Sequence, residues 1–254
     1  MKNWTERLYK DKSSLFAEGL ERLEGVAEDE MDIILNRVKE EYGVEPESVL
    51  DIGCGLGRHV LAFGERGYEV DGLDFSREYV REARQRASDR DLDDRVSIHQ
   101  HDMRNLEEWD DSYDLIVNLG VTFGHYGRET DQEILSNVFD LLSDDGVFAV
   151  EMINKANQIH DFERTYVIDY RDALNVQHLR YDIGNGVLHS NIDVFSREEE
   201  EFGYRNRMTL KYYLYSPSEL RYMCKRAGFE DVTIVPRGAE ELTLDVESIV
   251  ILAS

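Results

Sequence analysis

The chain has 254 residues, 41% of them hydrophobic, and carries 54 acidic residues against 29 lysines and arginines for a net charge of −25. That length fits one large α/β domain or a core with an insertion, and no apolar run reaches the roughly 18 residues that a membrane span needs. The acids are spread along the chain (28–30, 89–94, 110–111, 144–145 and 198–201) and no Lys/Arg-rich patch suits a phosphate backbone, so neither nucleic acid nor membrane is an expected partner. A solvated surface adapted to high salt accounts for that spread better than a single basic partner does. Two cysteines, Cys54 and Cys224, are too few for a disulfide framework, and segment 1–16 lacks an apolar signal core, so a reducing cytoplasmic location is expected.

Residues 1–43 read as helices. Leu8, Leu15, Phe16, Leu20 and Leu23 recur at near-helical spacing, as do Met31, Ile34, Leu35 and Val38, with Gly43 as the stop. Their expected role is to cap a sheet; the alternative is that they fold over a ligand site, with Trp4 or Tyr9 as aromatic contacts. A strand at 48–52 leads into 49–58, VLDIGCGLGR, where Asp51 is followed by Gly53, Gly55 and Gly57. Glycines there let the backbone turn tightly and approach a ligand where a Cβ would collide. A helix at 58–67 follows, then a strand at 69–73 ending at Asp74, and Ser76 caps a helix reaching 88. Strands at 95–99 and 113–117 end near Asp102 and at Asn118. A helix at 130–142 and a strand at 147–152 complete a strict alternation, the pattern of a parallel sheet with helices on both faces.

From 156 the rhythm changes. Four strands are expected at 166–170, 176–182, 188–196 and 204–215, with Asn185-Gly186 as a hairpin turn. Ser216, Pro217 and Glu219 open a last helix closed by Gly228, and strands at 229–235 and 248–252 end the chain. The boundaries predicted are a helical cap at 1–43, a ligand-binding core at 44–155 and 216–254, and an antiparallel insertion at 156–215.

In an open parallel sheet, ligands bind beyond the carboxyl ends of the strands. Asp51, Asp74, Asp102 and Asn118 all fall there. A dinucleotide fingerprint requires glycine where Arg58 stands, and no Gly-Lys-Ser/Thr of a P-loop occurs. The ligand is therefore not expected to be gripped by a pyrophosphate, while Asp74 suits a ribose diol, since a carboxylate accepts from both hydroxyls.

At this point the sequence resembles the class I S-adenosylmethionine-dependent methyltransferases. The matching pieces are VLDIGCGLGR, GLDFS, the HDM after the third strand, YDLIVNLGVTFGHY, LLSDDGVFAVEM and YSPSELRYMCKRAGF. They cover most of 44–254, most weakly 156–215. The resemblance implies a Rossmann-like seven-stranded, mostly parallel sheet closed by an antiparallel last strand, with the insertion as a lid. It implies S-adenosylmethionine as cofactor. Asp51 and Gly53, Cys54, Gly55 and Gly57 would meet its methionine end, and Asp74 its ribose. Phe75 would pack on adenine, Asp102 and Met103 would bond and wall it, and Asn118 and Leu119 would lie beside the amino acid moiety. NLGVTFGHYG also resembles the segment that small-molecule N-methyltransferases carry after the fourth strand.

Methyl transfer from a sulfonium is an in-line displacement, so the protein mainly aligns the nucleophile and excludes water. A base helps only if the nucleophile arrives protonated. His125 and Tyr126 stand where an acceptor would approach; the alternative is that both pack under the insertion. Cys54 reads as a small filler of the turn, His99 and His101 as exposed residues at a strand end, and no histidine spacing supports a metal site. The expectation is methyl transfer to an N or O atom of a small molecule. A non-catalytic nucleotide-binding module remains an alternative, and RNA methylation a weaker one.

Overall fold

The computed structural model describes residues 4–9, 17, 19–21, 23–198 and 201–254; Leu15, Phe16 and residues 199–200 of the last acidic run lie outside them. Strand β1 (Ser48–Ile52) pairs in parallel with β2 (Glu69–Asp74) on one side and β4 (Tyr113–Asn118) on the other, and β2 pairs with β3 (Val96–Gln100). β5 (Leu142–Ile153) lies parallel to β4, while β11 (Ser248–Ala253) runs antiparallel to both β5 and β10 (Val232–Pro236). The seven strands are ordered β10-β11-β5-β4-β1-β2-β3, and a separate antiparallel sheet is ordered β6-β7-β8-β9. The fold is a Rossmann-like α/β core with a four-stranded antiparallel sheet beside it.

Alternation along the central strands supplies the two cores. Val49, Val117 and Ala149 face α2 (Ala27–Tyr42), α3 (Arg58–Glu65) and α4 (Arg77–Ser88) through Met31, Ile34, Val60, Phe63 and Ala83. Leu50, Ile52, Ile116 and Phe148 face α5 (Arg128–Asp140) and α7 (Pro217–Ala227) through Ile134, Leu135, Leu220 and Met223. Gly43 ends α2 in the left-handed region at φ 71°, as its place after the last periodic residue predicts.

Strand β5 starts earlier than expected. The turn-like 144–146 lies inside it, where the register against β4 shifts between Tyr113 and Leu115. A Cβ on Gly146 would stand 2.8 Å from the Tyr113 carbonyl oxygen and 3.0 Å from the Ser143 backbone, so the glycine lets the strand bulge back on itself close against β4.

After a short helix, α6 (Lys155–His160), the second sheet runs through β6 (Thr165–Asp169), β7 (Ala173–Asp182), β8 (Val187–Glu198) and β9 (Glu201–Tyr213). It is tied to the core at the end of β9, where the Tyr213 N–H donates to the Gly124 carbonyl at 2.7 Å. Helix α1 (Trp4–Tyr9) lies on β9 and β8, its Leu8 buried among Val194, Met208 and Leu210. No described helix is long and apolar enough to cross a membrane.

The last helix opens as its sequence predicts. The Ser216 hydroxyl accepts from the Glu219 N–H, and the Glu219 carboxylate accepts from the Ser216 N–H at 2.8 Å. Ser216→Ala should lower the unfolding free energy by about 1 kcal/mol, read as a lower urea midpoint with an unchanged m-value.

Candidate functional site

The three glycines of the β1–α3 turn all take left-handed backbone angles, at φ 78°, 58° and 84°. The turn is held by backbone alone on one side: the Gly53 and Cys54 N–H groups donate to the Leu73 carbonyl at 2.7 and 3.0 Å. On the other side Asp74 clasps it. One carboxylate oxygen accepts from the Gly55 N–H at 3.0 Å and the other from the Ser76 N–H at 2.7 Å. Ser76 is the N-cap of α4, but without a side-chain cap bond; its hydroxyl donates instead to the Tyr9 carbonyl at 2.8 Å.

A cavity with about 1100 Å³ of space, part of it open to solvent, lies at these strand ends. Gly53, Cys54, Gly55, Asp74, Phe75, Met103, Leu119, His125 and Tyr126 line it. Asp51 and Asn118 do not; they sit immediately behind, buried at the ends of β1 and β4. The Asn118 side-chain amide donates to the Ile52 carbonyl at 2.5 Å. Gly57 caps α3 and faces Ala83 of α4, 3.1 Å from where its Cβ would be. Asp102 does not line the cavity either: its carboxylate forks onto Arg104, at 2.9 Å to Nε and 2.5 Å to Nη2, and caps the 3₁₀ turn that follows. Burial pushes the Cys54 thiol well above its usual pKa, consistent with a filler.

Four buried polar atoms at or behind the wall of this cavity have no hydrogen-bond partner among the described residues: Asp51 Oδ2, Asn118 Oδ1, Thr122 Oγ1 and His125 Nε2. Buried polar groups are nearly always paired, so a group of four at one place fits a polar ligand. The cradle fits as well, because a Cβ on Gly53 would stand 3.1 Å from Thr122 Oγ1 and 3.2 Å from Met103 Cε. The β4–α5 loop is itself strained. Val121, a β-branched residue, sits at φ 60°, a conformation that costs on the order of 1–3 kcal/mol and clusters at ligand sites.

The roof is aromatic and comes from outside the core. Tyr9 of α1 stacks on the His125 ring at 6.2 Å and meets Phe75 edge-on at 5.7 Å. Trp4 lies 4.9 Å and Tyr212 of β9 5.2 Å from His125. Helix α2 packs against the sheet through Met31, Ile34 and Val38, whereas α1 lies over the cavity. His101, expected to be exposed, also lines it. Thr122, Val121 and Tyr212 are not singled out by sequence, and Arg58 only as the glycine a dinucleotide fingerprint lacks; the Gly120–Gly124 spacing around Val121 is a further local signal.

Behind the glycine turn lies a buried charge network. Glu30 of α2 accepts from Arg58, from His59 at 2.7 Å and from Arg237. Arg237 also donates to Glu151 at 2.5 Å, and Glu151 accepts from the Gly120 N–H at 3.0 Å. Burial works to raise the Glu30 pKa, but the His59 hydrogen bond and the Arg58 and Arg237 charges outweigh it and hold it below the usual glutamate value.

Asp51 has no such compensation. Burial pushes it up to about 6, against the smaller opposing charges of His59 and Arg58. A carboxyl whose folded-state pKa lies above its unfolded value stabilises the fold in its protonated form. That contribution is complete below about pH 4 and is lost as pH rises through about 6. In Asp51→Asn, the cofactor-free protein should therefore lose less stability between about pH 4.5 and 7 than the parent does, measured by urea unfolding; equal slopes would contradict the assignment.

Residues 49–146 match the family described as "Methyltransferase domain". YqeM of Bacillus subtilis (strain 168) is 28% identical over 109 residues, which are 42% of this chain and 43% of that protein. A glycine/sarcosine N-methyltransferase of Aphanothece halophytica is 23% identical over 189 residues, 73% of this chain and 67% of that one. The first three curated relatives are matched over less than half of their own length (43%, 31% and 49%). Among solved structures, an S-adenosylmethionine-dependent methyltransferase from Clostridium acetobutylicum ATCC 824 superposes with a TM-score of 0.75 at 16% identity, covering 87% of this chain and 89% of that one. CalS10, an amino pentose methyltransferase from Micromonospora echinaspora, superposes with a TM-score of 0.68 at 16% identity, covering 90% and 92%. Residues 49–146 thus resemble a methyltransferase domain, on a chain that shares its fold with solved S-adenosylmethionine-dependent methyltransferases.

Proposed function

We propose that the chain transfers the methyl group of S-adenosylmethionine to an N or O nucleophile of a small molecule. The observation that carries this reading is the group of four unpartnered polar atoms beside a glycine cradle, under an aromatic roof. The bound cofactor supplies a methyl group already activated on a sulfonium.

The chain's residues then have the following tasks. Asp74, oriented by the Gly55 and Ser76 N–H groups, accepts from the ribose hydroxyls with its remaining lone pairs. Asp51 and Asn118, just behind the cavity wall, favour the amino group at the methionine end through their unpartnered oxygens and the charge of Asp51, and Arg58, which lines the cavity, attracts the carboxylate there. Phe75 and Met103 wall the adenine. Asp102 acts on the adenine through the turn it caps, since its own carboxylate is engaged by Arg104. Tyr9, Tyr126 and Tyr212 exclude water from the reacting atoms.

His125 orients the acceptor. Burial pushes its pKa down to about 3, against a hydrogen bond to the Val121 carbonyl. The ring is therefore neutral, with Nε2 free as an acceptor for the N–H or O–H of the incoming nucleophile. Held there, the nucleophile's lone pair is aimed rather than left to diffuse.

A screen of metabolite extracts with methyl-labelled S-adenosylmethionine should place label in a small molecule and none in RNA or protein; no label in any fraction would overturn the reading. With that acceptor, His125→Phe should slow transfer about tenfold, the worth of one orienting hydrogen bond, without weakening cofactor binding. By calorimetry, Asp74→Ala should lose about 2 kcal/mol of S-adenosylmethionine affinity, roughly thirtyfold in Kd, and unchanged affinity would refute its ribose contact.

A further inference from the structure

Strand β9 separates two cavities. Successive side chains of a strand point to opposite faces, and here Tyr212 lines the cavity of His125 while its neighbours Lys211 and Tyr213 line a second, more open cleft with about 1530 Å³ of space, part of it open to solvent. This cleft lies between the β7–β8 hairpin and the N-terminal ends of α5 and α7. Tyr126 stands in the wall common to both.

One rung of the antiparallel sheet lines the second cleft. Arg180 of β7 pairs with His189 of β8, and His189 pairs with Lys211 of β9. Basic groups set directly opposite one another weaken a sheet. The effect is visible on His189, whose pKa is held below the usual value by burial and then by the Arg180 and Lys211 charges, with Asp182 pulling the other way.

The carboxylates of the cleft offset this rung only in part, through the charge of Asp182. Glu219 is taken up by Ser216, Arg128 (2.7 Å) and Lys155 (3.0 Å), and together these overcome its burial and hold it down to about 2. Asp182 is bound within the hairpin turn by the Asn185 backbone N–H and side-chain amide, at 3.2 and 2.9 Å. Glu129, in the first turn of α5, also lines the cleft. Among the described residues, Arg180 and Lys211 make no ion pair with any carboxylate; the Lys211 ammonium donates to the Tyr213 hydroxyl at 2.8 Å. In a chain where acids outnumber lysines and arginines 54 to 29, two cations that flank His189 on one rung, neither in an ion pair among the described residues, are set up in a concave cleft for a ligand that brings its own negative charge.

We propose that this cleft is a second binding site, taking a small molecule through a phosphate or carboxylate group held by Arg180 and Lys211. The site stands apart from the cofactor cavity and does not depend on methyl transfer.

Calorimetric titration of the full chain with inorganic phosphate, pyrophosphate and succinate, each at constant ionic strength, tests it. At least one probe should bind saturably at a single site. Binding of the phosphates alone identifies a phosphate ligand, and binding of succinate alone a carboxylate. Arg180→Gln and Lys211→Gln should each weaken that binding at least tenfold while leaving S-adenosylmethionine affinity unchanged. Failure of all three probes to bind saturably, or binding indifferent to both substitutions, overturns the proposal, whatever the labelling screen shows.

Discussion

The site depends on one buried carboxylate and the two amides it receives. Asp74 lies at the end of β2, 8% exposed, and accepts from the Gly55 and Ser76 N–H groups. Burial pushes its pKa up to about 6 even with those donors lowering it. The same residue therefore joins the glycine turn, the start of α4 and the cavity wall. With Leu73 accepting from Gly53 and Cys54, the ends of β1 and β2 are locked together by main-chain groups. That economy explains why three left-handed glycines stand where side chains would otherwise intervene.

A second layer fixes the turn relative to the loop after β4. Glu30 and Glu151 face Arg58 and Arg237, so two carboxylates meet two guanidiniums, with His59 filling the remaining position on Glu30. Arg58 belongs to the first turn of α3, while Glu151 holds the Gly120 N–H. The two loops that wall the methionine end under the proposed reading are thus anchored to one charge network. Breaking one partner of such a network leaves a buried charge uncompensated, which costs several times what an exposed pair contributes.

The parallel core was legible because each strand there is a short apolar run ending in a polar residue, and each helix carries its own apolar stripe. Strand β1 and the cap at Ser216 fall where local residues alone place them. Less local features were not. Asp102 reads from sequence as a strand-end acid with its carboxylate free, yet Arg104, two residues on, takes both oxygens. Tyr9 reads as one aromatic on a short helix, and only docking of α1 on β9 brings it over His125. Arg58 registered as a missing glycine, since its charge acquires meaning only once Glu30 is folded against it. The rung of Arg180, His189 and Lys211 is spread over three strands, and no composition or motif test on a single stretch joins them.

The division of labour along the chain follows from the same geometry. Asp51, Asp74, the glycine turn and Phe75 all lie within 49–146, the segment that matches the methyltransferase domain. The roof does not: Tyr9 and Trp4 come from α1, and Tyr212 from the added sheet. His125 stands at the seam, lining a cavity whose aromatic cover is supplied by elements on either side of the matched domain. Family likeness therefore bears on the floor of the cavity, and under the proposed reading the choice of acceptor falls to the roof, where strand β9 places one face over His125 and the other against a second cleft.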